Sequence, residues 1–106
     1  MAHETFRVSI PYEIRKQLME WATLAEGVGL RPEYIADLKF LNEQLKYAAR
    51  AWGDPLSDLE GAKLIRYRGL TTYLRVFYAA HYQSTDVFVS GIELRHDRPL
   101  GRPVGE

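Results

Sequence analysis

Apolar residues follow two different spacings in the first part of the chain. In residues 5–10 they alternate with polar residues, and this period of two predicts a short, half-buried strand. From Pro11 they fall three or four residues apart, which predicts an amphipathic helix that ends at Gly27. The alternating apolar residues are Phe6, Val8 and Ile10, and the helical stripe comprises Ile14, Leu18, Trp21, Ala22 and Ala25.

A second helical pattern starts at Pro32 and Glu33 and continues to Trp52. Gly53, Asp54 and Pro55 then end it, and residues 54–61 are interpreted as a loop. The two helices, joined by a short link, are predicted to form an antiparallel hairpin. The apolar positions of the second helix are Ile35, Leu38, Leu41, Leu45, Ala48 and Trp52.

Aromatic and β-branched residues dominate the second half of the chain, where residues 62–68, 72–83 and 87–95 are predicted strands joined by short turns. The fold class is therefore α+β, in the order β-α-α-β-β-β. A helical hairpin is expected to pack on one face of a mainly antiparallel sheet. Residues 1–106 form a single domain, in which 99–106, with two glycines and two prolines, are expected to be a flexible tail.

Arginines occupy the side of the predicted strands that the helices should leave uncovered. In the long strand, Leu74 and Val76 point one way and Arg75 the other. In the last strand we expect Phe88, Ser90, Ile92 and Leu94 on one face, and Val89, Gly91, Glu93 and Arg95 on the other. Arg66 and Arg68 share a face of the strand before them. The expected result is a group of guanidinium groups on one open sheet surface.

Composition excludes several classes of protein. The chain is 46% hydrophobic and 26% charged, as is usual for a globular domain, and it has no cysteine for disulfides or thiol chemistry. No apolar run is long enough for a membrane span, so we expect a cytoplasmic protein without membrane contact. The net charge is zero, but residues 1–61 carry a net charge of −3 and residues 62–106 a net charge of +3.

The basic half offers one chemical hypothesis. Guanidinium groups are planar and permanently charged, and they match the geometry of phosphate oxygens. His96, next to Arg95, could act as a general acid because a histidine titrates near neutral pH. The alternative is that each arginine is simply a solvated residue of an exposed sheet face. Phosphate-loop, dinucleotide-binding, serine-hydrolase and zinc-protease motifs are absent from the sequence.

The order of these elements resembles the RelE/ParE-type bacterial toxin superfamily. The resemblance covers residues 5–98 and rests on order and spacing: an opening strand (FRVSIPYEIRKQL), a helical hairpin and a loop that ends in LEG. It continues with the basic strand from Lys63, the segment LRVFY at 74–78, and a closing strand that runs into LRHDR at 94–98.

The resemblance implies a fold with two helices on one sheet face and, in the RelE-like branch, a ribosome-dependent messenger RNA endoribonuclease. Such toxins use the 2′-OH of the nucleotide as nucleophile and need no metal or other cofactor. By position, the resemblance assigns Arg75, Arg95 and His96 as catalytic residues. It assigns binding of RNA phosphates to Lys63, Arg66, Arg68 and Arg98.

The resemblance also implies partners, and it leaves alternatives open. The expected partners are a cognate antitoxin protein and, for the RelE-like branch, messenger RNA in the ribosomal A site. The neutral net charge motivates a second hypothesis, a non-catalytic relative that acts as a ParE-like DNA gyrase inhibitor or an inactive binding homologue. A third is an unrelated α+β domain whose arginines only keep it soluble.

Overall fold

The computed structural model describes residues 5–95 and 97, and it has the predicted α+β fold. Three helices precede most of a five-stranded sheet. No helix among the described residues is long and apolar enough to cross a membrane. In chain order the elements are β1 (Arg7–Ser9), α1 (Tyr12–Gly27), α2 (Arg31–Tyr47), α3 (Ala49–Trp52), β2 (Asp54–Leu59), a short 3-10 helix (Glu60–Ala62), β3 (Leu64–Leu70), β4 (Leu74–His81) and β5 (Asp86–Leu94).

The sheet has the strand order β1-β5-β4-β3-β2. Strands β2 to β5 form an antiparallel meander, and β1 joins its edge parallel to β5. The helical hairpin ends close to the start of β1, where the backbone N–H of Phe6 donates to the carbonyl oxygen of Lys46 at 2.7 Å. The first strand lies beside the last one, and β4 is the centre of the sheet.

The predicted loop at 54–61 is wrong, because Asp54–Leu59 pairs with β3 as an edge strand. All six of its residues are exposed, so it carries no alternation of buried and exposed positions. Pro55 and the register shift that follows it suit a sheet edge, where a missing N–H and a bulge are tolerated and discourage further strand pairing. The added strand widens the sheet from four strands to five without changing the fold class.

The helical hairpin forms as predicted, but its second arm is broken. Gly29, with φ of +76°, makes the reversal between α1 and α2. The Tyr34 hydroxyl then ties the helices together by donating to the carbonyl oxygen of Leu18 at 2.9 Å. Ala48 interrupts the second helix, since its ψ of 28° is not helical, and the chain turns into the short α3.

Both long helices lie on one face of the sheet. Leu74, Val76 and Tyr78 of β4 are fully buried in one cluster with residues of α1 and α2. Arg75 and Phe77 alternate with them and are only half-buried. We call the side that carries Arg75 the open face. The prediction that the helices cover the apolar side of the long strand is confirmed.

The predicted faces of the last strand are partly wrong, because β5 contains a bulge. Phe77 pairs with Gly91 while Tyr78 pairs with Val89, so Ser90 is an extra residue. Before the bulge Val87 and Val89 are buried, and after it Ile92 and Leu94 pack against the core. Phe88 and Glu93 therefore share the open face, although the sequence pattern separates them.

Aromatic rings fasten α3 to the sheet. Trp52 stacks on Tyr78 with ring centroids 5.8 Å apart, and Tyr78 stacks on Tyr67 at 5.2 Å. The indole of Trp52 lies directly over Gly69 of β3, where a methyl group would overlap it. The absence of a side chain at Gly69 thus makes room for the tryptophan.

Gly69→Ala is expected to destabilise the protein by about 1–3 kcal/mol, because the added methyl group overpacks the site under Trp52. Gly27→Ala is the matched control, since the same methyl group there meets no atom within 4 Å. Alanine also has a higher helix propensity than glycine, so it should stabilise the last turn of α1. Urea unfolding of both variants measures the difference. Equal stability of the two variants would contradict this packing.

Stability is expected to fall above about pH 10, the ordinary tyrosine pKa. Burial raises the pKa of Tyr34 and of Tyr78 well above that value. In alkali the unfolded chain loses these protons while the folded protein keeps them, so the free energy of unfolding decreases by about 1.4 kcal/mol per pH unit for each tyrosine.

Tyr34→Phe should make this alkaline decline shallower, because one of the retained protons is removed. Tyr12→Phe is the control, since Tyr12 is 72% exposed. Denaturant unfolding between pH 8 and pH 11 gives the slopes. A slope that Tyr34→Phe leaves unchanged would contradict the assignment.

Candidate functional site

Three of the predicted arginines meet at one end of the open face. Arg68 of β3, Arg75 of β4 and Arg95, just after β5, line a solvent-open cleft of about 470 Å³. We call it the arginine cleft. Strands β3, β4 and β5 are neighbours in the sheet, so the register alone brings the three side chains to one place. The cleft is completed by Leu70, Phe77 and Asp97.

Arg75 is half-buried and faces away from the helices, as predicted. It lies opposite Glu93 on β5, and its Nη1 donates to Glu93 Oε1 at 2.8 Å. Glu93 is more exposed than Arg75, with 54% of its side chain open to solvent. An exposed ion pair of this kind contributes about 0–1 kcal/mol, so an incoming anion can compete for the guanidinium group.

Arg95 is the most buried arginine of the cleft, with a side chain 18% exposed. Its Nη1 donates to the carbonyl oxygen of Thr71 at 2.8 Å, while Nε and Nη2 donate to the two carboxylate oxygens of Asp97 at 3.2 and 3.0 Å. The group thus holds the turn between β3 and β4 as well as facing the cleft. Its role is partly structural, which sequence reasoning did not anticipate.

Asp37 of α2 fixes the same turn from the side of the helices. Its buried carboxylate accepts the Thr71 hydroxyl at 2.5 Å and the backbone N–H groups of Thr72 and Tyr73 at 2.9 and 3.0 Å. Arg95 holds Thr71 from the opposite side. The turn is therefore clamped between a carboxylate and a guanidinium group.

Arg66 and Arg68 are exposed on the open face. Arg68 lies opposite Phe77 and Asp54, and Arg66 lies opposite Ala79 and Ser57. Neither arginine forms an ion pair with any residue in the described ranges. Their charges are consequently available to a ligand without loss of an internal contact.

Two of the predicted site residues that the structure describes, Lys63 and Arg66, do not line the arginine cleft. Lys63 lies before β3 in a left-handed conformation with φ of 57°, at the end of the strand away from Leu70. The structure therefore does not bring it to the arginines of the cleft, because the length of β3 separates them. His96 and Arg98 lie outside the described residues.

Asp37 and the acidic partners of the arginines were missed by sequence reasoning. The sequence does carry a signal for Asp37, since a charged residue occupies the buried stripe that also contains Tyr34, Leu41 and Leu45. Glu93 becomes a partner of Arg75 only through the strand register, which the β5 bulge shifts.

Comparison with known proteins adds no family assignment, because neither a family model nor a curated protein matches the chain. Within residues 5–95 and 97, no three histidine or carboxylate side chains lie close enough together to hold a metal ion. The arrangement as described can bind a phosphate or carboxylate through several guanidinium groups at once.

Asp37→Asn is expected to destabilise the protein by about 2 kcal/mol, because either orientation of the amide leaves its NH₂ group against a backbone N–H of the turn. Asp58→Asn on the exposed β2 is the control and should shift stability by less than about 0.5 kcal/mol. Chemical denaturation measures both changes. Equal losses in the two variants would contradict the clamp.

Proposed function

We propose that this protein is the toxin of a type II toxin–antitoxin pair and acts as a ribosome-dependent messenger RNA endoribonuclease. The observation that supports the proposal most is the convergence of Arg68, Arg75 and Arg95 on one open cleft opposite the helices. The resemblance of the chain to RelE-like toxins supplies the reaction, an attack of the ribose 2′-OH on the neighbouring phosphate.

This reaction builds negative charge on the phosphorus oxygens as the 2′-oxygen adds and the 5′-oxygen leaves. Fixed cationic donors lower its barrier most when they point at the developing charge in a partly desolvated place. Arg75 and Arg95 are restrained by their hydrogen bonds and are half-buried, so they suit this role. Arg66 and Arg68 are exposed and suit contacts with flanking phosphates.

Proton transfer requires a separate group, since guanidinium groups stay protonated. The proposal assigns the leaving-group proton to His96, on the resemblance alone, and the proton of the attacking 2′-OH passes to a solvent water. His81 is the histidine of β4, but it lies opposite Leu64 at the far end of the strand from Arg75, and its Nδ1 accepts the backbone N–H of Gln83. We therefore give it no catalytic role.

A second candidate function is a non-catalytic relative that binds a partner protein, such as a ParE-like gyrase inhibitor. It is favoured by the carboxylates that already accompany two cleft arginines, Glu93 on Arg75 and Asp97 on Arg95. These pairs lower the net charge of the cleft, and the whole chain is neutral. Non-specific RNA affinity, which depends on several unpaired cations, should then be small.

Arg75→Ala is expected to abolish toxicity and messenger RNA cleavage, because it removes a donor aimed at the cleft. Its effect on stability should stay within about 1 kcal/mol, since the lost ion pair is exposed. Regulated expression in bacteria with mapping of messenger RNA ends gives the readout. Arg31→Ala, an exposed arginine at the start of α2, is the matched control and should remain fully active.

Three results distinguish the candidates. Messenger RNA cut by the wild type but not by Arg75→Ala supports the endoribonuclease. Intact messenger RNA together with gyrase-dependent DNA breaks supports the second candidate. If Arg75→Ala cuts as well as the wild type, the arginine cleft is not the catalytic site.

A further inference from the structure

A second cleft lies at the edge of the sheet where β1 ends. The last pair between β1 and β5 is Ser9 with Phe88, and β5 continues to Leu94 beyond it. At this point the chain leaves the sheet through Ile10 and enters α1. A cleft of about 420 Å³ lies between this part of β5 and the start of α1, and we call it the edge cleft. It is lined by Val8, Ser9, Ile10, Pro11, Arg15, Phe88 and Val89.

Phe88 presents its ring to solvent in this cleft. It belongs to the open face and is 43% exposed, whereas its chain neighbours Val87 and Val89 are buried on the other side. Its cross-strand neighbours are Ala79 on β4 and Ser9 on β1. Both are small, so no bulky residue directly opposite it covers the ring.

Arg15 of α1 lines the same cleft. Its side chain is exposed and forms no ion pair with any residue that the structure describes. An aromatic face beside an unpaired cation is the combination that binds single-stranded nucleic acid, since every base can stack on a ring and every nucleotide carries a phosphate.

We infer that the edge cleft is a nucleotide subsite for single-stranded RNA, in which a base stacks on Phe88 and Arg15 contacts the adjoining phosphate. The inference rests on the proposed function and extends it, because it gives the RNA a second contact away from the arginine cleft. The volume of the cleft lies in the range of about 300–1,000 Å³ that is usual for small-ligand sites.

The sheet register places the two clefts within reach of one RNA strand. From Arg75 to Ala79 is four residues along β4, and Phe88 lies one strand further across. With the usual rise and strand spacing, the Cα atoms of Arg75 and Phe88 are about 14 Å apart. Arg66 lies in the same row as Ala79 and Phe88, so a cation flanks the path between the clefts.

The test measures binding of a fluorescein-labelled RNA octamer of adenosines to the purified protein by anisotropy at low salt. Phe88→Leu keeps an apolar side chain but removes the ring, and it should weaken binding about 10-fold. Phe88→Trp should retain the affinity of the wild type. Arg15→Ala should weaken binding and reduce the dependence of affinity on salt by about one released counterion.

Octamers with one abasic position each test the stacking itself. The octamer that lacks the base that stacks on Phe88 should bind the wild type weakly. Phe88→Leu should not weaken the binding of this octamer further, because the stacking contact is already lost. Tyr47→Leu and Arg31→Ala are the controls, because both residues are exposed on α2 in the layer of helices. Both variants should bind like the wild type.

Equal affinities of the wild type and Phe88→Leu would overturn the subsite, and so would a wild type that does not bind the octamer. An equal additional loss from Phe88→Leu at every abasic position would also overturn it, because the contribution of Phe88 to binding would then not depend on a stacked base. Messenger RNA cleavage on ribosomes is measured separately. If the protein cleaves messenger RNA but its affinity for the octamer does not depend on Phe88, the proposed function stands and the proposed subsite is contradicted.

Discussion

The buried carboxylate of Asp37 is the contact on which the geometry of the candidate site depends. It reaches from the layer of helices to the turn between β3 and β4 and satisfies three donors there. A buried carboxylate is costly unless it is fully hydrogen-bonded, so the turn has little freedom to move away from α2. Arg95 binds the same turn from the open side, and its position is therefore set by Asp37 through Thr71.

A similar contact fixes the opposite end of β4. The guanidinium group of Arg50 in α3 donates to the carbonyl oxygens of His81 and Ser84, beside the turn between β4 and β5, and lies 4.9 Å from the Phe6 ring centroid. Both ends of the central strand are thus held by charged side chains from the helical layer. Between these ends the apolar side of β4 packs on the helices, which leaves Arg75 on the open face with its backbone held in place.

The sequence predicts those parts of the fold that depend on uninterrupted periodicity. The alternation in β4 and the helical spacing of α1 are visible in the residues themselves, and the structure confirms both. The faces of β5 were only half correct, because the bulge at Ser90 is decided by pairing with β4 rather than by local preference. The edge strand β2 was missed because its sequence, DPLSDL, contains the proline, serine and aspartate residues that are also typical of turns.

The candidate site was predicted in outline and not in its contacts. The open-face position of Arg75 follows from the period of two, and the nearness of Arg68 follows once β3 and β4 pair. The partners of these arginines depend on register. Glu93 reaches Arg75 only because the extra residue in β5 restores it to the open face.

The charge arrangement of the cleft also reconciles a neutral protein with the proposed binding of phosphate. Glu93 and Asp97 keep the charges of Arg75 and Arg95 compensated while no ligand is bound, and both carboxylates are largely exposed, at 54% and 65%. Because water solvates an exposed carboxylate well, its release costs little, whereas a phosphate between several guanidinium groups gains several charge-assisted hydrogen bonds. The zero net charge of the chain therefore does not argue against a local anion site, since what an anion meets is the arrangement of charges on the open face.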